Sequence, residues 1–231
     1  MILAYHRINK WCPDDALSVS PEMFESQIKF LLKERYQPVS LYEYIKNDVH
    51  RMTFCITFDD GFADNFFVAF PIMKKYGIKP MIFLIAHSIG TEKIHERYKD
   101  KEKDRYLKWK EVQEMSKAGV NFGSHTLTHP DLTKLPRKQV WNEIFESKKY
   151  IEKNIGQRVD FFCYPYGRQN EKIRQTVKNA GYTGAVITNW KGRFDSYSLP
   201  RIGVYGHNSL LTFRLKIWRE KLRIKSAVFC F

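Results

Sequence analysis

The chain has 231 residues, 39 Lys and Arg against 25 Asp and Glu, a formal net charge of +14 and 43% hydrophobic residues. That length and apolar content exclude a disordered or fibrous chain and support one large domain with a real core. The positive charge favours an anionic surrounding, and the lack of a Lys/Arg block interleaved with aromatics places nucleic acid behind an acidic polymer or an acidic membrane face.

In chain order, Ile2 to Tyr5 reads as a first strand ending at His6, and Trp11 to Val19 as a loop. Ser20, Pro21 and Glu22 then open a helix with a capping hydroxyl, a proline at the first helical position and an acid in the first turn. Phe24, Ile28, Leu31 and Leu32 give that helix its core face. A short helix around Leu41 to Ile45 precedes the β-branched and aromatic run Thr53 to Phe58, a buried strand. This strand stops at Asp59-Asp60-Gly61, and Ala63 to Tyr76 reads as the helix behind it. Pro80 to Ile85 is the next strand, and the charge-dense stretch His87 to Leu107 reads as a solvated excursion or flap. Further strands are expected at Val120 to Phe122, Asp160 to Tyr164, Gly184 to Thr188 and Ile202 to Tyr205. Helices are expected at Trp109 to Ala118, Arg137 to Ile155, Asn170 to Asn179 and Ser209 to about Lys225, the last basic and amphipathic. Alternation with short connections points to an α/β fold with a parallel sheet, and the number of strands suits a barrel, complete or incomplete, in one domain over 1–231.

Four cysteines, Cys12, Cys55, Cys163 and Cys230, show no metal-ligand spacing and require no disulfide framework. No apolar run reaches the roughly eighteen residues of a membrane span, and the N-terminal run is too short for a signal peptide. The expectation is a soluble chain, cytoplasmic as it stands, or at the cell surface or secreted if a leader has been removed.

Three strand ends carry residues suited to chemistry. Asp59 and Asp60 put two like charges on one turn, a pair that water, a cation or a shared proton must relieve. A solvated Asp-Gly turn is the plain alternative. His125 and His129, four apart on what the spacing suggests is a helical turn, can chelate one ion or serve as ordinary polar residues. One carboxylate and two imidazoles suit zinc and similar divalent metals and leave positions open for water and substrate. The second carboxylate can then take the proton of a water that the metal acidifies. Asp60 is assigned to the metal and Asp59 to the base, although spacing alone allows the exchange. At the third strand end, the rigid turn Pro165-Tyr166-Gly167 can aim a backbone N–H at an oxyanion, or be a simple turn with core aromatics.

Taken together, Thr57-Phe58-Asp59-Asp60-Gly61, Ser124-His125-Thr126-Leu127-Thr128-His129 and Tyr164-Pro165-Tyr166-Gly167 resemble, in order, the first three motifs of the polysaccharide deacetylases (the NodB-homology domain, carbohydrate esterase family four). The resemblance implies a distorted (β/α) barrel, a divalent metal, commonly Zn2+, and hydrolysis of acetyl groups from sugar polymers, typically of N-acetylglucosamine. It implies Asp59 as general base, Asp60, His125 and His129 as metal ligands, and the Tyr166 N–H as an oxyanion donor.

The pattern also departs from the family. The late Leu-x-Ile-His motif that supplies a general acid has no match, and the histidine there, His207, sits in a poor context. The start Leu3-Ala4-Tyr5-His6-Arg7 is similar instead to the circularly permuted branch, which includes poly-N-acetylglucosamine deacetylases and takes its acid from an N-terminal Tyr-His. His6 ends a strand at the same edge as the aspartates, so His6 is favoured over His207. Cys163 stands where many members place an arginine beside the base; Arg201 can supply that charge or be a surface residue. Trp190 is a candidate sugar-stacking platform. The rival readings are a glycan-binding module without catalysis, a metal-dependent amidase acting on a non-sugar amide, and attachment of the C-terminal helix to an anionic wall polymer or membrane.

Overall fold

The computed structural model describes residues 1–46, 52–91, 98, 100, 103–188 and 195–228, with side chains as far as 222. Its strands are β1 (Ile2–Tyr5), β2 (Arg7–Ile8), β3 (Ser18–Val19), β4 (Gln37–Pro38), β5 (Thr53–Phe58), β6 (Met81–Leu84), β7 (Asn121–Ser124), β8 (Phe161–Cys163), β9 (Gly184–Ile187), β10 (Leu199–Pro200) and β11 (Ile202–Gly203). The helices are α1 (Pro21–Lys33), α2 (Leu41–Lys46), α3 (Phe70–Lys75), α4 (Trp109–Lys117), α5 (Arg137–Ile155), α6 (Glu171–Asn179) and α7 (Leu210–Val228). A π-helical turn, Asn65–Ala69, leads into α3. Among the described residues no helix is long and apolar enough to cross a membrane.

Eight strands run in the order β10-β9-β8-β7-β6-β5-β1-β11, and β4 pairs with the start of β5. Every ladder of this sheet is parallel. The two edge strands are consecutive in the chain. Leu199 and Pro200 pair with β9, Ile202 and Gly203 pair with β1, and Arg201 lies between them. The sheet is therefore a nearly closed barrel whose one open seam is crossed by residues 199–203, and Arg201 stands in the seam.

Side chains alternate across a strand, so each strand gives alternate residues to the barrel interior and to the helices outside. One apolar cluster unites Ile2, Cys55, Met81, Phe83, Phe161, Cys163, Val186 and Leu199, with Leu41 and Tyr44 of α2 closing it. This is the interior. Leu3, Tyr5, Ile56, Phe58, Ile82, Leu84, Phe162 and Ala185 belong to the larger cluster beneath the helices. Gly123 takes an interior place where a Cβ would come within 2.5 Å of the Phe83 ring, so no larger residue fits. Extending the alternation by one step past the carboxyl ends puts His6, Asp59, His125 and Arg201 on the interior side, with Cys163. A fold-level rule, side-chain parity, thus gathers the polar residues at the top of an apolar barrel.

The stretch read as a solvated excursion is docked where it is described. Tyr98, Asp104, Tyr106 and Leu107 are buried. Arg7, itself fully buried, donates from Nε to Asp64 Oδ2 at 2.7 Å and from Nη2 to Asp104 Oδ1 at 2.6 Å. Its guanidinium lies over the Phe62 and Tyr98 rings, 4.8 and 4.2 Å from their centroids. A buried guanidinium needs such paired carboxylates and aromatic faces to offset lost hydration. The charges of the stretch that looked like solvating groups include one that anchors it. The middle of the excursion, 92–97, lies outside the described residues.

Candidate active site

The carboxyl ends of the parallel strands open on one cavity of about 580 Å³, whose lining includes His6, Asp59, Asp60, His125, His129 and Tyr166. The structure therefore brings these six sequence-selected residues together. His207 is exposed, stacks on the Tyr205 ring at 5.7 Å and does not line the cavity. Trp190 lies outside the described residues.

The turn after β5 separates the two aspartates. Asp60 has φ 71° and Gly61 φ 78°, and a Cβ on Gly61 would meet Leu84 Cδ2 at 2.8 Å. The left-handed turn swings Asp60 outward while Asp59 stays in the barrel. Arg201 Nη1 donates to Asp59 Oδ1 and Nη2 to Asp59 Oδ2, each at 2.7 Å. Nη1 also donates to Thr57 Oγ1 at 3.0 Å, and the Cys163 thiol to Asp59 Oδ1 at 3.6 Å. Burial alone would raise the Asp59 carboxyl, but the charge and hydrogen bonds of Arg201 outweigh it and hold the group below the usual carboxylate range. Asp59 is thus ionised and oriented.

Asp60 faces the two histidines instead. Its Oδ1 lies 3.6 Å from His125 Nε2 and 3.7 Å from His129 Nε2, and the two Nε2 atoms are 3.2 Å apart. His125 Nδ1 donates to the Cys163 carbonyl at 2.7 Å, which leaves the Nε2 lone pair facing the cluster. Burial first, then the neighbouring His129, lowers its pKa to about 4, so the ring is neutral, as a ligand must be. Two imidazole nitrogens and a carboxylate oxygen converging this closely fit a divalent cation. The grouping of Asp59, His125 and Cys163 does not fit one. The Arg201 guanidinium occupies both Asp59 oxygens and comes within 3.1 Å of Cys163 Sγ, and burial pushes that thiol well above its ordinary value.

His125 and His129 do not share a helical turn. Thr126 and His129 have φ 68° and 63°, and the loop folds back on itself. The Thr126 hydroxyl donates to the His125 carbonyl at 2.5 Å and accepts from His129 N–H at 2.9 Å. Glu143 of α5 receives the N–H groups of Leu127 and Thr128 at 2.9 and 3.0 Å and the Thr128 hydroxyl at 2.7 Å. Sequence reading did not single out Glu143; the hydroxyl-rich loop with spare N–H groups was the signal that some acceptor was needed. Four of the six non-glycine residues with positive φ among the described residues, Asp60, Thr126, His129 and Tyr166, belong to this site. Such conformations cost about 1 kcal/mol or more each and persist where surrounding bonds enforce them.

The turn after β8 is closed by Gly167 N–H to the Tyr164 carbonyl and Arg168 N–H to the Pro165 carbonyl, bonds that do not use the Tyr166 N–H. The Tyr166 ring is exposed at the cavity mouth, 4.8 Å from the His129 ring. Arg168 pairs with Asp131 at 2.5 Å and so ties this turn to the histidine loop. Opposite, the buried His6 Nδ1 has no partner among the described residues, and the His6 carbonyl accepts from Asn65 Nδ2 at 2.9 Å.

A family profile described as Polysaccharide deacetylase matches residues 46–185. The chain belongs to the polysaccharide deacetylase family. The matched range includes Asp59, Asp60, His125, His129 and Tyr166 but neither His6 nor Arg201, so those two rest on geometry. YxkH of Bacillus subtilis (strain 168) is 33% identical over 192 residues, 81% of this chain and 63% of that protein. The chain thus spans just under two thirds of that relative. The poly-beta-1,6-N-acetyl-D-glucosamine N-deacetylase of Staphylococcus aureus (strain MRSA252) is 30% identical over 201 residues, 80% of this chain and 67% of its own. Among solved structures, the Streptococcus pyogenes deacetylase PplD in complex with acetate superposes with a TM-score of 0.77 at 29% identity, covering 93% of this chain and 96% of that one.

Proposed function

We propose that this polysaccharide deacetylase homologue is a metal-dependent hydrolase that removes acetyl groups from N-acetylglucosamine-type sugars of a poly- or oligosaccharide. One observation carries the reading: a two-histidine, one-carboxylate donor set shares its cavity with a separately held, ionised carboxylate and a third histidine. The names of the staphylococcal relative and of PplD support the substrate chemistry. Asp60, His125 and His129 hold the divalent ion, for which zinc suits the donors best. When bound, that ion supplies Lewis acidity, polarising the acetyl carbonyl and lowering the pKa of water.

The remaining work falls to the chain. Asp59 accepts the proton of the attacking water. Its pairing with Arg201 fixes the direction of both oxygens but makes it a weak base, so it depends on water that is already acidified. The Tyr166 N–H donates to the carbonyl oxygen as negative charge builds there. His6 gives a proton to the departing nitrogen, because an amide anion is too basic to leave. Acetate and a free amine result, and water supplies the balance of atoms. The exposed Tyr166 ring offers an apolar face to the sugar at the mouth.

The test is acetate release from a panel of acetylated glycans, with and without chelator. Release from N-acetylglucosamine oligomers or polymers, abolished by chelator, is expected. Asp59→Asn should retain bound metal and lose turnover. Release only from non-sugar amides, or turnover by Asp59→Asn at the wild-type rate, defeats the proposal.

A further inference from the structure

Helix α7 carries two apolar faces, and the barrel uses one of them. Phe213 and Ile217 are buried, and the Phe213 ring stands edge-on to Phe30 of α1 at 6.2 Å. Lys216 Nζ reaches back to the Gly203 carbonyl and Asn208 Oδ1, both at 2.7 Å. On the other side Leu211, Leu215 and Trp218 are 66%, 49% and 58% exposed, and Leu222, at 45%, continues the row.

Their spacing makes them one surface. With about 100° of turn per residue, positions 211, 215, 218 and 222 fall within a stripe about 60° wide. Arg214 and Lys221 border the stripe on one side and Arg219 on the other, and all three are exposed. Single exposed apolar side chains are ordinary; a continuous stripe rimmed by cations is the pattern of a helix that lies in a membrane interface. The chain as a whole adds its charge of +14 to that rim.

We propose that α7 docks the protein in the plane of an anionic lipid surface. Leu211, Leu215 and Trp218 enter the boundary between headgroups and acyl chains, and Arg214, Arg219 and Lys221 meet the headgroups. The charge pattern selects this occupant. A soluble polyanion engages the rim but leaves the stripe in water, whereas an anionic bilayer presents apolar and charged layers in the order the helix does. Lys216 also lies over the Tyr205 ring at 5.2 Å, and Tyr205 lines the catalytic cavity, so docking holds the cavity near the lipid surface.

Vesicle flotation of the full chain tests this, comparing phosphatidylcholine alone with phosphatidylcholine containing phosphatidylglycerol. The wild type floats with the anionic vesicles, and less so as salt rises. A triple variant, Leu211→Ser with Leu215→Ser and Trp218→Ser, partitions about tenfold or more weakly, because apolar burial contributes as much as charge. Its thermal midpoint and its activity on a soluble substrate stay at wild-type values, since the three side chains are exposed and lie outside the cavity. Arg214→Glu with Arg219→Glu weakens flotation as well. Three results overturn the proposal: no flotation of the wild type, equal flotation of the triple variant, or self-association of the wild type that the triple variant loses while neither binds vesicles. The last makes the stripe a contact between copies.

Discussion

The Arg201 guanidinium grips both oxygens of Asp59 from 142 residues away in the chain, each bond 2.7 Å. The barrel seam makes this contact. Residues 199–203 pair with β9 through their first half and with β1 through their second, so the residue between must point into the top of the barrel. Both partners are almost fully buried. Breaking such a pair on one side strands a charge in an apolar setting, which costs about 3–5 kcal/mol. Arg201→Met should therefore lower stability by that order and reduce turnover, as judged by denaturant midpoint and acetate release. Asp59→Asn with Arg201→Met should recover most of the stability and none of the activity, because the second change removes the stranded carboxylate.

The same pair sets a pH dependence. The folded carboxyl of Asp59 lies below its unfolded value of about 3.9, so the pair's contribution is complete above that value and is lost as pH falls through the folded one. In chelator-treated protein, the difference in melting temperature between wild type and the Asp59→Asn, Arg201→Met variant should be flat from pH 7 to about 4.5 and shrink only in stronger acid. A difference that instead grows as pH falls from 7 to 5 would mean that burial, not Arg201, governs the group, because a carboxyl with a raised folded pKa gains stability on protonation. His125, whose pKa of about 4 is set first by burial and in part by Asp59, is neutral in both proteins above pH 5, so its titration does not enter that part of the comparison.

Two histidines compete for the acid role, and the geometry separates them. His6 lines the cavity with Asp59, while His207 is exposed, does not line it and stacks on the ring of Tyr205, which does. His6→Ala should lower turnover by about 10²–10⁴, the usual contribution of a positioned proton donor, with little change in metal content. His207→Ala should leave turnover within twofold of wild type, about the scatter of surface changes. A larger loss in His207→Ala than in His6→Ala reverses the assignment.

These contrasts also show what a sequence makes legible. Asp59 and Asp60 directly follow the β-branched and aromatic run Thr53 to Phe58, His6 follows the strand Ile2 to Tyr5, and His125 closes the short strand around Phe122 with His129 four residues on; a strand that ends on chemistry-bearing residues is visible without a structure. The barrel was legible because strand and helix alternate. The seam was not, since only its second half, Ile202 to Tyr205, read as a strand, and β10, two residues long, carries no periodic signal. Arg201 was therefore a candidate for the charge missing at Cys163, with a surface position left equally open. The stretch around Asp104 read as solvent-facing because charge density outweighed Tyr98, Tyr106 and Leu107, which the structure buries. The helical turn expected for His125 and His129 failed because Thr126 supplies a side-chain turn that the spacing alone does not reveal.

Glu143 is the residue that spacing could not find, and it leads to the sharpest test of how the site is built. It lies mid-helix on α5 in a run of ordinary helix formers, yet it receives the Leu127 and Thr128 N–H groups and the Thr128 hydroxyl. Those bonds hold the loop on which His129 keeps its positive φ. Glu143→Ala removes three acceptor contacts, and Glu143 does not line the cavity. Partners that orient a ligand without binding the metal typically contribute 10–100-fold to metal affinity, so Glu143→Ala should weaken zinc binding by about that factor. Competition with a fluorescent chelator measures the change. Glu143→Gln, which keeps one carbonyl acceptor, should fall between the wild type and the alanine variant. The thermal midpoint of the chelator-treated protein should move by only a few degrees, since a partly exposed hydrogen-bond group contributes about 1 kcal/mol. Unchanged zinc affinity in Glu143→Ala would mean that Thr126 and the backbone alone hold His129 in place.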